Sequence, residues 1–238
     1  MLQLRTQKIK LTSVIMIIGS TKERLSLNSI NNRSQNTNKK HPCHISTTEY
    51  YKRNARAYYD QTVNLDISNR YSPFLKLLPK NGKILDAGCG SGRDSLFFKQ
   101  QGYDVVSFDI SKELVELASQ LIGQKVLHMS FGDLDFTNEF HGIWASASLL
   151  HIPQEEMDDV LEKLSRALKN NGVLYASFKY GDMERTDGER FFNDYNEEKL
   201  NLLMDRHKNL KTDNIWITED IRAKRKHEFW MNVLFVAE

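Results

Sequence analysis

The sequence is poor in the residues that staple a chain together. Its two cysteines, Cys43 and Cys89, cannot build a disulfide framework, and no C-x-x-C pair offers zinc ligands. With 4 prolines in 238 residues it is not collagen-like, and it lacks the character of a coiled coil. It has no run of about 18 apolar residues, so no stretch is expected to cross a membrane as a helix. What remains is a globular composition, 40% apolar and 27% charged, long enough for one ordinary domain with a sizeable core.

Charge of one sign is scarce only in sum, because the net +2 joins two unlike pieces. Residues 1–48 carry eight basic side chains against Glu23, a local +7, and residues 49–238 carry a net −5. An acidic body repels a phosphate backbone unless it holds a local basic patch, so nucleic acid is not an expected partner. The leader, residues 1–46, has a short apolar run from Leu11 to Ile18 behind three basic residues, then an Asn-, Ser- and Lys-rich stretch from Asn28 to Lys40. This composition is too polar to fold. A dispensable leader, a targeting segment and an interaction tail all fit it. His41, Cys43 and His44 cluster there without a distant fourth ligand, so no metal site is expected.

The domain is expected over residues 47–238. It opens on a helix capped by Thr47 or Thr48, and a second helix is expected near Ser68 to Leu78. Strands and helices then alternate. Strands are expected at Lys83–Ala87, Asp104–Asp109, Val126–Ser130, Ile143–Ala147 and Val173–Phe178. The helix following Ser111 carries Leu114, Leu117, Ala118, Leu121 and Ile122 at helical spacing. The helix with Met157, Val160, Leu161, Leu164 and Leu168 is expected to stop at Asn171-Gly172, and another helix to lie near Asn196–Arg206. Two strands, Asn209–Thr218 and Phe229–Ala237, close the chain around the basic loop RAKRKH (222–227). The alternation predicts an α/β, doubly wound, mostly parallel sheet, and the closing pair predicts one antiparallel strand.

The densest signal is KILDAGCGSGRDS, residues 83–95, where an apolar strand runs into Gly88, Gly90 and Gly92 before a helix. A tight turn and close approach of backbone to a ligand both call for glycine, and a helix start points free N–H groups into the loop. The next strand ends in Asp109, 19 residues after Gly90, placed to accept two ribose hydroxyls. The pair predicts a nucleoside-containing cofactor. The plainer alternative is a tight turn with a helix-capping acid. A dinucleotide fingerprint would place glycine at Arg93, whereas here the spacing is G-x-G-x-G with Asp86 just before it.

This stretch resembles motif I of the class I S-adenosylmethionine (SAM) methyltransferases. The resemblance continues through Asp109, Gly132-Asp133-Leu134 and WASASLLHIP over about residues 50–238. Within the family the chain is similar to small bacterial tellurite-resistance-like and related small-molecule enzymes. The resemblance implies a seven-stranded sheet with an antiparallel last strand, SAM as cofactor, and a cytoplasmic enzyme passing a methyl group to a small-molecule acceptor by in-line displacement. It assigns Gly88, Gly90 and Gly92 to the amino-acid and ribose part of SAM, with Asp86 supporting the methionine ammonium through the loop. Asp109 takes the ribose hydroxyls, Asp133 the adenine amino group, with a turn-capping acid as its alternative, and Leu134 the ring. Ser148 lies under the methionine moiety, and the helix bearing Tyr50, Tyr51, Tyr58 and Tyr59 covers the cofactor, with Tyr51 and Tyr58 on one face.

In such a transfer a base is needed only when the acceptor arrives protonated. His151, beyond the fourth strand, is the candidate base, with a structural turn histidine as the alternative. Arg190 and Tyr195, in GERFFNDY (188–195), are candidates for an acceptor anion. Cys89 reads as a small buried residue, and RAKRKH as a solvated loop or an RNA-touching edge. Other activities on the table are a tRNA or protein methyltransferase, a SAM-binding protein without turnover, and, more distantly, a nicotinamide dehydrogenase.

Overall fold

A computed structural model of the chain describes residues 42–222 and 225–238. The expected leader falls outside these residues up to His41, together with its apolar run. The first helix, α1, spans Pro42–Thr62 and so starts before the threonines read as its caps. Thr47 serves a different purpose: its hydroxyl accepts the Phe191 backbone N–H at 3.0 Å. Next come α2 (Ser68–Leu75), β1 (Lys83–Ala87), α3 (Arg93–Gln100), β2 (Asp104–Asp109), α4 (Lys112–Ile122) and β3 (Leu127–His128). The chain continues through β4 (Phe140–Ala145), α5 (Gln154–Ala167), β5 (Leu168–Lys179), β6 (Glu184–Asp187), β7 (Arg190–Asn193), α6 (Glu197–Met204), β8 (Leu210–Glu219) and β9 (Phe229–Ala237).

Seven strands make one sheet in the order β3-β2-β1-β4-β5-β9-β8. β1 pairs in parallel with β2 and β4, and β4 with β5, while β9 runs antiparallel to both β5 and β8. This is the expected doubly wound sheet with an antiparallel last strand, and that strand lies inside the sheet. Side chains alternate across it, so each central strand feeds two cores. Leu85, Ala87, Met231, Val233 and Phe235 join the apolar face of α5, which presents Met157, Val160, Leu161 and Leu164. Ile84, Val173, Tyr175 and Leu234 pack with Tyr71 and Phe74 of α2 and Phe98 of α3. Within that second core the Trp144 and Tyr175 rings stack at 3.7 Å.

Two boundaries differ from the sequence reading for identifiable reasons. α5 ends at Ala167, because Leu168 is extended and already pairs with Phe140. Asn171, at φ +60°, and Gly172 therefore form an irregularity inside β5, where the register against β4 shifts. β3 is reduced to Leu127–His128, the only residues paired with Phe108 and Asp109. The antiparallel β6–β7 pair, inserted between β5 and α6, has no counterpart in the sequence reading.

The tightest packing sits where β4 passes beneath α2. A methyl group on Gly142 would lie 2.6 Å from Phe74 Cζ and 2.9 Å from Leu78 Cδ1, inside a fully buried cluster. Gly142→Ala is expected to cost roughly 1–3 kcal/mol through overpacking, read as a lower midpoint in urea unfolding.

Candidate active site

All the strand ends that matter point to one edge. The turn leaving β1 is sewn to the end of β2: the N–H groups of Gly88 and Cys89 both donate to Phe108 O, at 3.0 and 2.9 Å. Gly88 has φ +77°, and a Cβ there would lie 2.6 Å from Ser148 Cβ. Gly90 has φ +54°, and a Cβ there would lie 3.2 Å from the Tyr58 ring. The backbone is thus bare on both sides at the place where a ligand would approach. Asp109 fixes the loop from behind, accepting Gly90 N–H on Oδ2 and Ser111 N–H on Oδ1, each at 2.9 Å. Burial raises its carboxyl pKa, opposed by these backbone N–H groups. A carboxylate oxygen can accept a second bond, the chemistry a pair of hydroxyls would need.

Two neighbouring acids under the loop are in opposite states. Asp94, at the start of α3, accepts from Tyr71 hydroxyl (2.7 Å), Trp144 Nε1 (2.8 Å) and the Arg93 fork (2.6 and 3.0 Å). Burial works against its charge, but Arg93 and these bonds outweigh it and hold the carboxyl below the usual range. Asp86, at the end of β1, has the Ser95 hydroxyl at 2.5 Å. Burial, and then the Asp94 charge, push its pKa up to about 8. Cys89 is raised as well, by burial and then by Asp86, so it stays a thiol and is no nucleophile.

Over the loop lies the face of α1 that carries Tyr51 and Tyr58, whose rings meet edge to face at 5.1 Å. The Tyr51 hydroxyl sits 2.9 Å from His151 Nε2, and His151 Nδ1 sits 2.6 Å from Phe191 O. A carbonyl only accepts, so Nδ1 carries the proton, and with the ring neutral Nε2 accepts from the phenol. Burial, and then Tyr58, raise the Tyr51 pKa. On the other side Ser148 donates to Ala87 O at 2.6 Å. Ala147, at φ +54°, is held by its N–H to Ser177 Oγ at 2.9 Å.

These parts bound one cleft of about 880 Å³, its open mouth included, with Tyr51, Tyr58, Gly88, His151 and Arg190 among its lining residues. Ser148 lies at its edge, and Gly90, Gly92, Asp86 and Asp109 form the turn and its support. Three assignments from the sequence sit elsewhere. Asp133 is exposed, and its carboxylate accepts Ser130 N–H (2.8 Å) and hydroxyl (2.6 Å), closing its own turn. Leu134 is buried in the α5 core. Tyr195 is fully buried against Phe178 with its hydroxyl unbonded, and it is not part of the cleft wall.

The basic loop also departs from the solvated reading. Arg222 and Arg225 line the cleft, and Arg222 forks onto Asp220. Asp220 also holds Lys179 Nζ at 3.0 Å and Trp230 Nε1 at 3.0 Å. The sequence reading missed Arg70, Asp94, Lys179 and Asp220. The one available signal was the lysine that breaks the apolar run of β5 in LYASFKY.

A family model described as a methyltransferase domain matches residues 84–172. An uncharacterized methyltransferase of Staphylococcus carnosus is 29% identical over 161 residues, which cover 62% of this chain and 75% of that protein. Among solved structures, the 1,6-didemethyltoxoflavin-N1-methyltransferase of Burkholderia thailandensis, with 1,6-didemethyltoxoflavin and S-adenosylhomocysteine bound, superposes with a TM-score of 0.67. It is 18% identical, with 85% of this chain and 92% of that one covered. The magnesium protoporphyrin IX methyltransferase of Synechocystis PCC 6803, with SAM bound, gives 0.64 at 16% identity, over 85% and 100% of the two chains. Residues 84–172 match a methyltransferase domain, and they sit on the fold shared with SAM-dependent methyltransferases. The loop fits this cofactor in its chemistry: three glycines at positive φ that leave no room for side chains, and an aspartate buried directly behind them. No helix among the described residues is long and apolar enough to span a membrane.

The protein should register the protonated Asp86 in its stability. Its folded pKa, about 8, lies above the ordinary 3.8, so the native state keeps a proton that the unfolded chain releases. This contribution is fully present below about pH 4 and is lost as pH rises to about 8. Asp86→Asn keeps the neutral shape, and urea unfolding across that window should show a flatter decline for the variant than for wild type.

Proposed function

We propose that the cleft binds SAM with a small-molecule acceptor and aligns the two for direct in-line methyl transfer. The observation carrying this reading is the continuity of the glycine turn, the Tyr51–Tyr58 cover and the His151 turn around a single cleft. Gly88, Gly90 and Gly92 take the amino-acid and ribose part of the cofactor, and Asp109 takes the ribose hydroxyls. Asp86 supports the methionine ammonium through the loop, and Ser148 lies beneath that moiety. Bound there, SAM supplies a methyl group already activated by a sulfonium. The protein's part is to hold donor and acceptor in line, exclude water and cover the positive sulfur with the aromatic faces of Tyr51 and Tyr58.

His151 is the base for an acceptor that arrives protonated. Its Nδ1–H is fixed on Phe191 O, so Nε2 is the atom that takes a proton, and Tyr51 stands in front of it. Tyr51 thus passes the acceptor proton inward to His151. Arg190, on the same wall, meets the acceptor. The small size of the acceptor is supported by the Burkholderia neighbour, whose structure holds 1,6-didemethyltoxoflavin. A cytoplasmic location and a leader detached from catalysis complete the proposal.

Calorimetry with S-adenosylhomocysteine tests the cofactor half. Asp109→Ala should weaken binding by about 1–3 kcal/mol, the scale of losing a charged hydrogen-bond partner, and unchanged affinity would remove Asp109 from the site. A screen of acceptors with labelled SAM tests the other half. His151→Ala and Tyr51→Phe should slow transfer to protonated acceptors while S-adenosylhomocysteine still binds. Loss of that binding in His151→Ala would make the histidine structural.

A further inference from the structure

Six cations line the cleft, Arg70, Arg93, Lys179, Arg190, Arg222 and Arg225, against two carboxylates, Asp94 and Asp220. Four of the six are matched. Arg93 is paired with Asp94, Lys179 with Asp220 and Glu228, Arg222 with Asp220, and Arg225 with Glu228 at 3.6 Å. Arg70 is 7% exposed, and no hydrogen bond or ion pair reaches its guanidinium among the described residues; its Nε is buried and unbonded. Arg190, its side chain 14% exposed, has one 3.4 Å ion pair to half-exposed Asp187 and a side-chain interaction with Tyr51, and its Nε is also buried and unbonded. A guanidinium cannot shed its proton, so burying one without a partner is costly unless a ligand completes it.

Both groups line the one cleft. Arg70 acts electrostatically on Tyr175 of β5. Arg190 rises from the inserted hairpin, between the rings of Tyr50 and Phe192, and acts on the Tyr51 phenol. β5 is two strands from β1 and its glycine turn, roughly 10 Å at the usual strand spacing. The cofactor adds a further net positive charge, from a sulfonium and an ammonium against one carboxylate, to a cleft already in cationic excess.

We infer that the methyl acceptor is an oxyanion-bearing molecule of the carboxylate class, anchored by Arg190 and Arg70. This rests on the SAM-dependent reading above. It specifies charge at the acceptor end, and it makes the two arginines specificity determinants: each offers a planar fork that matches two oxygens, Arg70 has no protein partner among the described residues, and Arg190 has only weak ones.

The test uses the full chain and matched probe pairs: small carboxylic acids and their amides, offered with labelled SAM. Acids should receive label and their amides should not. Arg190→Gln and Arg70→Gln should each lower kcat/KM for the acid roughly 10- to 100-fold, with Arg190→Lys in between. S-adenosylhomocysteine and 5′-methylthioadenosine, which lacks the carboxylate, should bind both Gln variants as they bind wild type. Equal labelling of acids and amides, or Gln variants as fast as wild type, overturns the inference. So does a selective loss of S-adenosylhomocysteine over 5′-methylthioadenosine, which would assign the arginines to the cofactor's own carboxylate. Ligand-free Arg70→Met should melt no lower than wild type; a fall of several degrees would make Arg70 structural. If wild type binds neither adenosyl ligand, the SAM reading itself fails. Normal binding without acid preference sinks only the anion subsite.

Discussion

One ionised carboxylate organises the cofactor end of the molecule. Asp94 gathers a hydroxyl from α2, an indole from β4 and a guanidinium from its own helix, all within 3.0 Å and away from water. Each donor belongs to a different element, so the charge ties together the helix that covers the sheet, the strand beneath it and the helix that follows the glycine turn. A buried charge is tolerable only when this fully bonded. The same charge helps keep Asp86 neutral next door. The loop therefore rests on a pair of acids that differ because one has four donors and the other has essentially a serine.

Much of this was legible beforehand. DVVSFD reads as a buried strand because its apolar residues fit no helical face, and the structure gives β2 those residues. The glycines of GCGSG are legible because no other residue tolerates positive φ with Tyr58 and Ser148 so close. Other features depend on partners far along the chain. Thr47 looks like a helix cap in sequence and instead bonds a strand 144 residues on. The hairpin around Asp187 and Gly188 carries charged residues where a strand would show alternation, so nothing local announces it. Arg70 looks like any helix-surface arginine until burial removes its water. Tyr195 fails in the opposite sense: a polar aromatic in a promising motif that packing places behind the wall.

The cleft has two walls with different logic. The cofactor wall is backbone, shaped by positive φ at glycines and at Ala147, and its charges are internally balanced. The opposite wall is made of long cations from β5, the hairpin and the β8–β9 loop, anchored by Asp220, whose carboxyl its donors hold far below the usual range despite burial. A backbone wall changes little when side chains are exchanged; a side-chain wall can be rewritten one residue at a time. Selectivity within this scaffold therefore resides in the second wall, where sequence motifs are weakest.

The position of β9 also sets an order of assembly. β8 precedes β9 in the chain yet touches the sheet only through it. During synthesis β8 must wait, unpaired, until the later strand has been made and slotted beside β5. Lys179, at the rim of β5, meets its partners Asp220 and Glu228 only when that insertion is complete. The second wall of the cleft is thus complete only once β9 has joined the sheet, and a nascent chain can shape its nucleotide cradle before it has anywhere to seat what it will modify.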